Sequence, residues 1–406
     1  MKRMKTCFSV AVILMTATVS IWSQDWTQFR GSRLDNRADG FRVPVSWPAN
    51  LTQVWKVTVG TGDATPVLQG NRIFVHTRQG AEETVLCLDS STGKEIWKSA
   101  YPSPAVTGPS ASHPGPRSTP AIADGKIVTL GAAGILSCFD ASSGKLLWRK
   151  DNPGNIVPQF FTGTSPLIVD GLCIVHLGTR DKGTIYALDL GTGKEKWTLP
   201  GDGPSYSSPS VMTVSGKKHI ILVTEKNLAA IDLADGKLLW SVEAPVQQRF
   251  YNCVSPVIDG QKIYVTGQGS GTKAFIVEKQ GENYLPRQLW HNTSTGAKWN
   301  TPVLRDGYLY GFTDTRRIYC INASNGESAW TDEAAHSDFA TLVDCGQVMA
   351  GLPSTGNLLF MTPSPKGYNE AARYKVSETA IYAYPVISEN RIFIKDAENL
   401  TLFSLR

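Results

Sequence analysis

Charge is scarce in this sequence. Charged residues make up 18% of the chain, below the roughly 25% of an ordinary soluble domain. Lysines and arginines form no stripe, so the electrostatic footprint of a nucleic-acid binder is missing. Complete catalytic motifs are missing as well. There is no C-x-x-C-H for haem attachment, no H-E-x-x-H for zinc, and no two cysteines are adjacent. The GTGK ending at Lys194 is not a phosphate loop. The first glycine of such a loop would fall at Leu188, and Lys194 is followed by Glu195. GQGSG at Gly267 ends a strand rather than opening a helix. DNRADG from Asp35 has Arg37 at a ligand position and no closing Glu for Ca²⁺.

Long apolar runs are also missing, with one exception. Residues 8–22 are apolar and follow Lys2, Arg3 and Lys5. The run is shorter than the roughly 20 residues of a membrane span, so residues 1–23 read as a Sec signal peptide. Cys7 precedes the run, which excludes a lipobox. The expected product is exported to the periplasm or the extracellular space and is not membrane-spanning. Cleavage removes three basic residues and lowers the formal charge from +5 to +2. Nucleic acid is therefore not an expected partner.

What is present is a repeat. CLDSSTGKEIW ends at Trp97, CFDASSGKLLW at Trp148, ALDLGTGKEKW at Trp197, AIDLADGKLLW at Trp240 and CINASNGESAW at Trp330. The first four copies are spaced by 51, 49 and 43 residues, in the range of propeller blades. Upstream of each copy a Ser/Thr-Pro pair opens a hairpin, as in TPAIADGKIVTLG from Thr119 and SPLIVDGLCIVHLG from Ser165. Two hairpins make a four-stranded blade. Weaker copies end at Trp290, behind a longer loop, and at Tyr374, which stands in for Trp. LTQVWKV around Trp55 is an orphan fourth strand, and the hairpin from Tyr384 to the C-terminus lacks one. Together they complete a blade and remove both open edges. The count is eight. In each copy Asp or Asn caps the turn, Gly supplies positive φ, and Trp buries its face between blades. Cys87, Cys138 and Cys320 share one small buried position with Ala187 and Ala230, which favours free thiols.

This pattern resembles the tryptophan-docking motif of the pyrroloquinoline-quinone (PQQ) repeat, found in eight-bladed quinoprotein dehydrogenases. DWTQFRG at Asp25, GPRSTP at Gly115 and TPVLRDGYLYGF at Thr301 resemble secreted PQQ-like propellers related to the BamB-type outer-membrane assembly factor. The resemblance implies an all-β, eight-bladed β-propeller of four-stranded antiparallel blades over residues 51–406, closed by pairing of its terminal strands. Residues 24–50 are expected to pack against it through Trp26, Phe29 and Trp47.

Ligand residues should then lie just before the Ser/Thr-Pro pairs, facing a central funnel. They include His113 and Arg117, Thr162 and Thr164, Tyr206 and Ser207, Asn252, Lys298, Asn300 and Asp338. Arg117 and Lys298 can pair with carboxylates of PQQ or of an acidic peptide. Asn252 and Asp338 are oxygen donors for Ca²⁺. Equally, these groups can satisfy one another and line a water channel. The expected function is a monomeric, exported scaffold that offers its funnel and loops to a protein, peptide or glycan, with no cofactor required. The alternative is a PQQ- and Ca²⁺-dependent dehydrogenase. The dehydrogenases of the resembling family carry an adjacent Cys pair beside the cofactor, and this chain does not.

Overall fold

The computed structural model describes residues 25–243, 246, 251–337 and 339–405. The expected signal peptide lies outside these residues. The described residues form eight four-stranded antiparallel sheets, with one short 3₁₀ turn at Gly108–Ser110. Blades 1 to 7 span 67–102, 121–150, 167–201, 210–243, 257–292, 303–331 and 340–375. Blade 8 combines 386–404 with the strand Thr52–Thr58, which pairs from Thr52 opposite Ser404 to Thr58 opposite Asn399. The ring is thus closed by its two ends. Lys395 is buried at this seam, and its ammonium donates to the carbonyls of Gly62, Asp396 and Ala397.

Local chemistry explains the blades. In blades 2, 3 and 6 the first hairpin turns at an Asp-Gly pair, as at Asp124–Gly125 with φ of 50° and 69°. Two positive φ values define the type I′ turn, whose twist matches the strands it joins. The second hairpin of blades 1 to 4 and 6 is a capped turn. Asp189 Oδ1 accepts hydrogen bonds from the Thr192 amide and hydroxyl, both at 2.9 Å. Asp140 is capped likewise by Ser142 and Ser143, and those hydrogen bonds hold its carboxyl down at about 2.

The outer strand is mostly exposed, and its indole is buried at Trp55, Trp97, Trp240 and Trp290 and half-buried at Trp148, Trp197 and Trp330. A bulge precedes it in each copy: Leu88 pairs with Glu95 and Cys87 with Trp97, which leaves Ile96 unpaired. The extra residue turns the strand and aims the ring at the next blade. There it meets two groups of the capped turn. Trp148 Nε1 donates to Leu190 O at 2.9 Å, and a Cβ on Gly193 would stand 2.7 Å from the indole. Gly193 is therefore needed for its φ of 71° and for this close approach. The small residue of each repeat lies directly across from the indole, as Cys138 opposite Trp148 and Ala187 opposite Trp197.

Two blades depart from the pattern. Blade 5 replaces the capped turn with a hairpin of ten-residue strands, Gly271–Gln280 and Asn283–Asn292. Trp240 packs against Phe275, Val277 and Tyr284 instead, and its Nε1 has no partner. Tyr374 donates its hydroxyl to Pro48 O at 3.0 Å.

Residues 26–48 cross one end of the central channel. Trp26 exchanges two backbone hydrogen bonds with Leu68 of blade 1, and Thr27 O accepts the Ile122 amide of blade 2. Arg30 is buried and donates through Nη1 to Pro256 O beside blade 5, opposite blade 1 in the ring. Leu34 packs on the core between blades 3 and 4, and Asn36 and Ala38 hydrogen-bond Asp344 of blade 7. Contacts with opposite blades from so short a segment require it to lie across the axis. Arg30, Leu34 and Asn36 hold positive φ of 65°, 60° and 57°. Such residues each cost about 1–3 kcal/mol, so surrounding contacts must enforce them. Phe41 and Trp47 then stack on Phe360 of blade 7 before the chain enters Thr52–Thr58.

The docking bond can be isolated by experiment. Trp290 and Trp240 are similarly buried, but only Trp290 has a carbonyl partner, Ala323 O at 3.1 Å. Trp290→Phe should cost about 1 kcal/mol more than Trp240→Phe, because it leaves that carbonyl unpaired. Denaturant midpoints measure the difference, and equal losses would contradict the role given to the N–H.

Candidate functional site

The blades surround a cavity of about 1140 Å³. Its innermost layer is a belt of hydroxyls supplied by the Ser/Thr-Pro pairs. The Thr119 amide donates to Ser165 Oγ (3.1 Å), Ser165 to Ser208 (2.9 Å), Ser208 to Ser255 (2.8 Å) and Ser255 to Thr301 (3.1 Å). Across the seam, the Tyr384 amide donates to Thr65 Oγ1 at 3.0 Å. Each bond joins one blade to the next. The proline that follows has no N–H of its own to satisfy. Blade 7 has Leu342 in place of the Pro, and its Thr341 hydroxyl does not take part in these links.

Phe29 of the crossing segment reaches the cavity floor and sits edge-on to Tyr384, with centroids 5.6 Å apart. The cavity is therefore a blind funnel. Above the floor its wall is aromatic. Phe160, Tyr206 and Tyr251 form one cluster, with Phe160 and Tyr251 perpendicular at 5.0 Å and Tyr206 and Tyr251 at 5.6 Å. The Tyr206 hydroxyl accepts the Phe160 amide at 3.0 Å, and burial raises its pKa. Beyond Tyr251 lies Arg180, 5.1 Å from the ring centroid and paired with Glu225 at 2.6 Å. A second cluster faces it: Tyr382 contacts His113 at 4.8 Å and Phe339 at 5.1 Å. Trp299 stands between the clusters, 36% exposed, with Lys298 Nζ 4.9 Å from its ring.

Four expected residues meet in this wall: His113, Arg117, Tyr206 and Lys298. His113 Nδ1 lies 2.7 Å from Asp63, the only carboxylate in the lining among the described residues. Arg117 is half-buried. It donates to the carbonyls of Phe160 and His113, and desolvation lowers its pKa. The other expectations need correction. Asn252 is buried, with Nδ2 donating to Thr224 O and Glu225 O at 3.0 and 3.1 Å, so it latches blade 4 rather than facing the funnel. Asn300 clamps both backbone groups of Phe312, at 2.6 and 3.0 Å. Thr162, Thr164 and Ser207 are buried outside the cavity lining. Asp338 lies outside the described residues.

The residues that sequence reasoning passed over are Phe29, Phe160, Tyr251, Trp299, Phe339 and Tyr382. Several adjoin residues it named, so reading whole inter-blade loops would have found them. His76 and His176 are structural. Tyr101 bridges His76 and Glu83 in the core at 3.3 and 2.8 Å, and Glu83 accepts the Ala132 amide of blade 2. His176 donates to Asp202 O at 2.9 Å, and burial lowers its pKa to about 4, keeping it neutral.

The donor set does not suit Ca²⁺ with PQQ. Calcium takes 6–8 oxygen ligands, usually with several carboxylates. Among the described residues the lining offers one carboxylate, Asp63, already bound to His113. Among the described residues no three His, Cys, Asp or Glu side chains gather as a metal site.

The described cysteines are all free, and Cys253 alone is not fully buried. It lines the funnel, and burial pushes its thiol pKa up. We expect a thiol reagent to label one cysteine of the native protein slowly at neutral pH, with the rate rising as pH increases. Peptide mapping should place the label on Cys253. Equal labelling of several cysteines would contradict the funnel geometry.

A family model described as outer membrane protein assembly factor BamB matches residues 48–114 and 106–332. The assembly factor BamB of Yersinia pestis is 22% identical over 368 residues, covering 85% of this chain and 86% of that protein. The crystal structure of BamB from Moraxella catarrhalis superposes with a TM-score of 0.65 at 16% identity, over 88% of this chain and 98% of its own. A europium-containing methanol dehydrogenase superposes with a TM-score of 0.70 at 14% identity, over 93% of this chain and 89% of its own. At these identities the two structures share the fold alone.

Proposed function

The chain belongs to the PQQ-repeat propeller family described as outer membrane protein assembly factor BamB, and on that footing we propose that it is an exported, monomeric, non-catalytic binding protein whose funnel receives its ligand. The observation that carries this reading is the blind funnel itself. Its floor is closed by Phe29, its wall is aromatic and hydroxyl-rich, and its Asp–His pair and Arg117 are already engaged. Asp63 is bound to His113, and Arg117 to two carbonyls. Catalysis by proton transfer needs a group left free to exchange its proton with substrate. Binding needs a preformed concave surface with a few oriented polar groups. The funnel has the second, and Asp63, His113 and Arg117 do not supply the first. Export is supported by the basic and apolar start of the chain.

The propeller dehydrogenases make the test direct. The mature chain is mixed with PQQ and Ca²⁺, and cofactor binding and alcohol- or sugar-dependent dye reduction are followed. No cofactor binding and no turnover are expected. Tight binding with turnover that is lost in Arg117→Ala would overturn the non-catalytic reading.

A further inference from the structure

We propose that the funnel takes the end of an acidic oligosaccharide, a sugar chain bearing uronate or sulfate groups; this rests on the reading of the funnel as a binding site. The composition of the wall comes first. Among the described residues no Leu, Ile, Val or Met side chain lines the cavity, and its apolar surface is chiefly aromatic. A sugar ring presents C–H groups, which settle on the electron-rich face of an aromatic ring. Trp299 offers the most exposed such face, and Phe160, Tyr251 and Tyr382 offer others in different orientations. Backbone recognition of a peptide is poorly served. Most of the innermost strands are three residues long, as Val67–Gln69 and Val257–Asp259, and each of these follows a proline. That is too short an edge for strand addition.

Hydrogen bonding points the same way. The Oγ atoms of Thr65, Ser165, Ser208 and Thr301 each spend a lone pair on a neighbouring blade's amide, and all four residues line the cavity. What each hydroxyl retains is a proton to donate and one more acceptor site. A belt of such groups matches a ligand dense in oxygen. Charge then selects among sugars. Among the described residues, Arg117 and Lys298 line the cavity, and the one carboxylate there, Asp63, has His113 as its partner. Lys298 stands beside the Trp299 platform, its ammonium 4.9 Å from the ring centroid. An anionic group on a stacked sugar would meet an ammonium there.

Size and shape complete the case. The volume of about 1140 Å³ exceeds the roughly 300–1,000 Å³ of small-molecule sites. The floor at Phe29 admits a chain end rather than a chain threaded through.

The test uses the full mature chain, titrated by calorimetry and tryptophan fluorescence. The probes are trigalacturonate, a heparin-derived sulfated hexasaccharide, maltotriose and hexaglutamate. At least one acidic sugar should bind tenfold or more tightly than maltotriose and hexaglutamate, more weakly as salt rises. The preferred acidic sugar distinguishes uronate from sulfate recognition. Trp299→Ala and Lys298→Ala should each weaken it about tenfold with an unchanged melting curve. Failure of both acidic sugars, or affinity unaffected by both substitutions, would overturn the proposal. Preference for hexaglutamate would overturn the sugar assignment while leaving the funnel as a binding site. Turnover with PQQ would overturn the binding-only reading itself.

Discussion

Everything in this molecule depends on one contact: an indole of one blade laid on the capped turn of the next. The contact has three requirements, and each is visible in the repeat. The turn must be flat where the ring lands, which demands Gly193 beneath Trp148. The carbonyl after the capping Asp must point outward to take the indole N–H, as Leu190 O does. The residue across the strand must be small, as Cys138 is. Burying each indole contributes roughly 1.5–3 kcal/mol, and the hydrogen bond fixes its direction. Repetition around a closed ring turns a modest local interaction into a rigid frame.

That frame makes the centre available for function. A second set of inter-blade bonds, the Ser/Thr hydroxyl belt, runs inside the indole ring. The two sets share the task of joining blades, so residues of the intervening loops need not. Those loops carry the unrepeated side chains: Phe160, Tyr251, Trp299, Phe339 and Tyr382. The segment at 26–48 is the remaining component. It enforces three unfavourable backbone conformations to lie across the axis, and in doing so makes a channel into a funnel. The same fold serves enzymes and assembly factors, so function must be argued from such unrepeated residues.

The architecture was legible because its signal recurs. The eight Trp or Tyr positions, the orphan strand at Trp55 and the unfinished last hairpin together specify both blade number and closure, and the sheets follow them. The site was legible only in part, because it occurs once. His113, Arg117, Tyr206 and Lys298 fall in the wall, but Asn252 and Asn300 do not. Their amides complete backbone hydrogen bonding where strands end, a role that a buried loop imposes and position alone cannot reveal. The Ser/Thr-Pro hydroxyls were visible as a repeat and were read only as strand openers. Their second role depends on the neighbouring blade, which periodicity brings near without stating what touches. The path of 26–48 had no repeat to follow. Trp26 and Phe29 marked it as apolar, yet its crossing rests on tertiary contacts such as Arg30 with Pro256.

The most direct measurement is a crystal structure of the mature protein grown with the tightest-binding acidic oligosaccharide. The account predicts sugar density against Trp299 and between the two aromatic clusters, an anionic group near Lys298 or Arg117, and a chain end above Phe29. Density on the outer blade surface, or a ligand passing through the face crossed by residues 26–48, would contradict it.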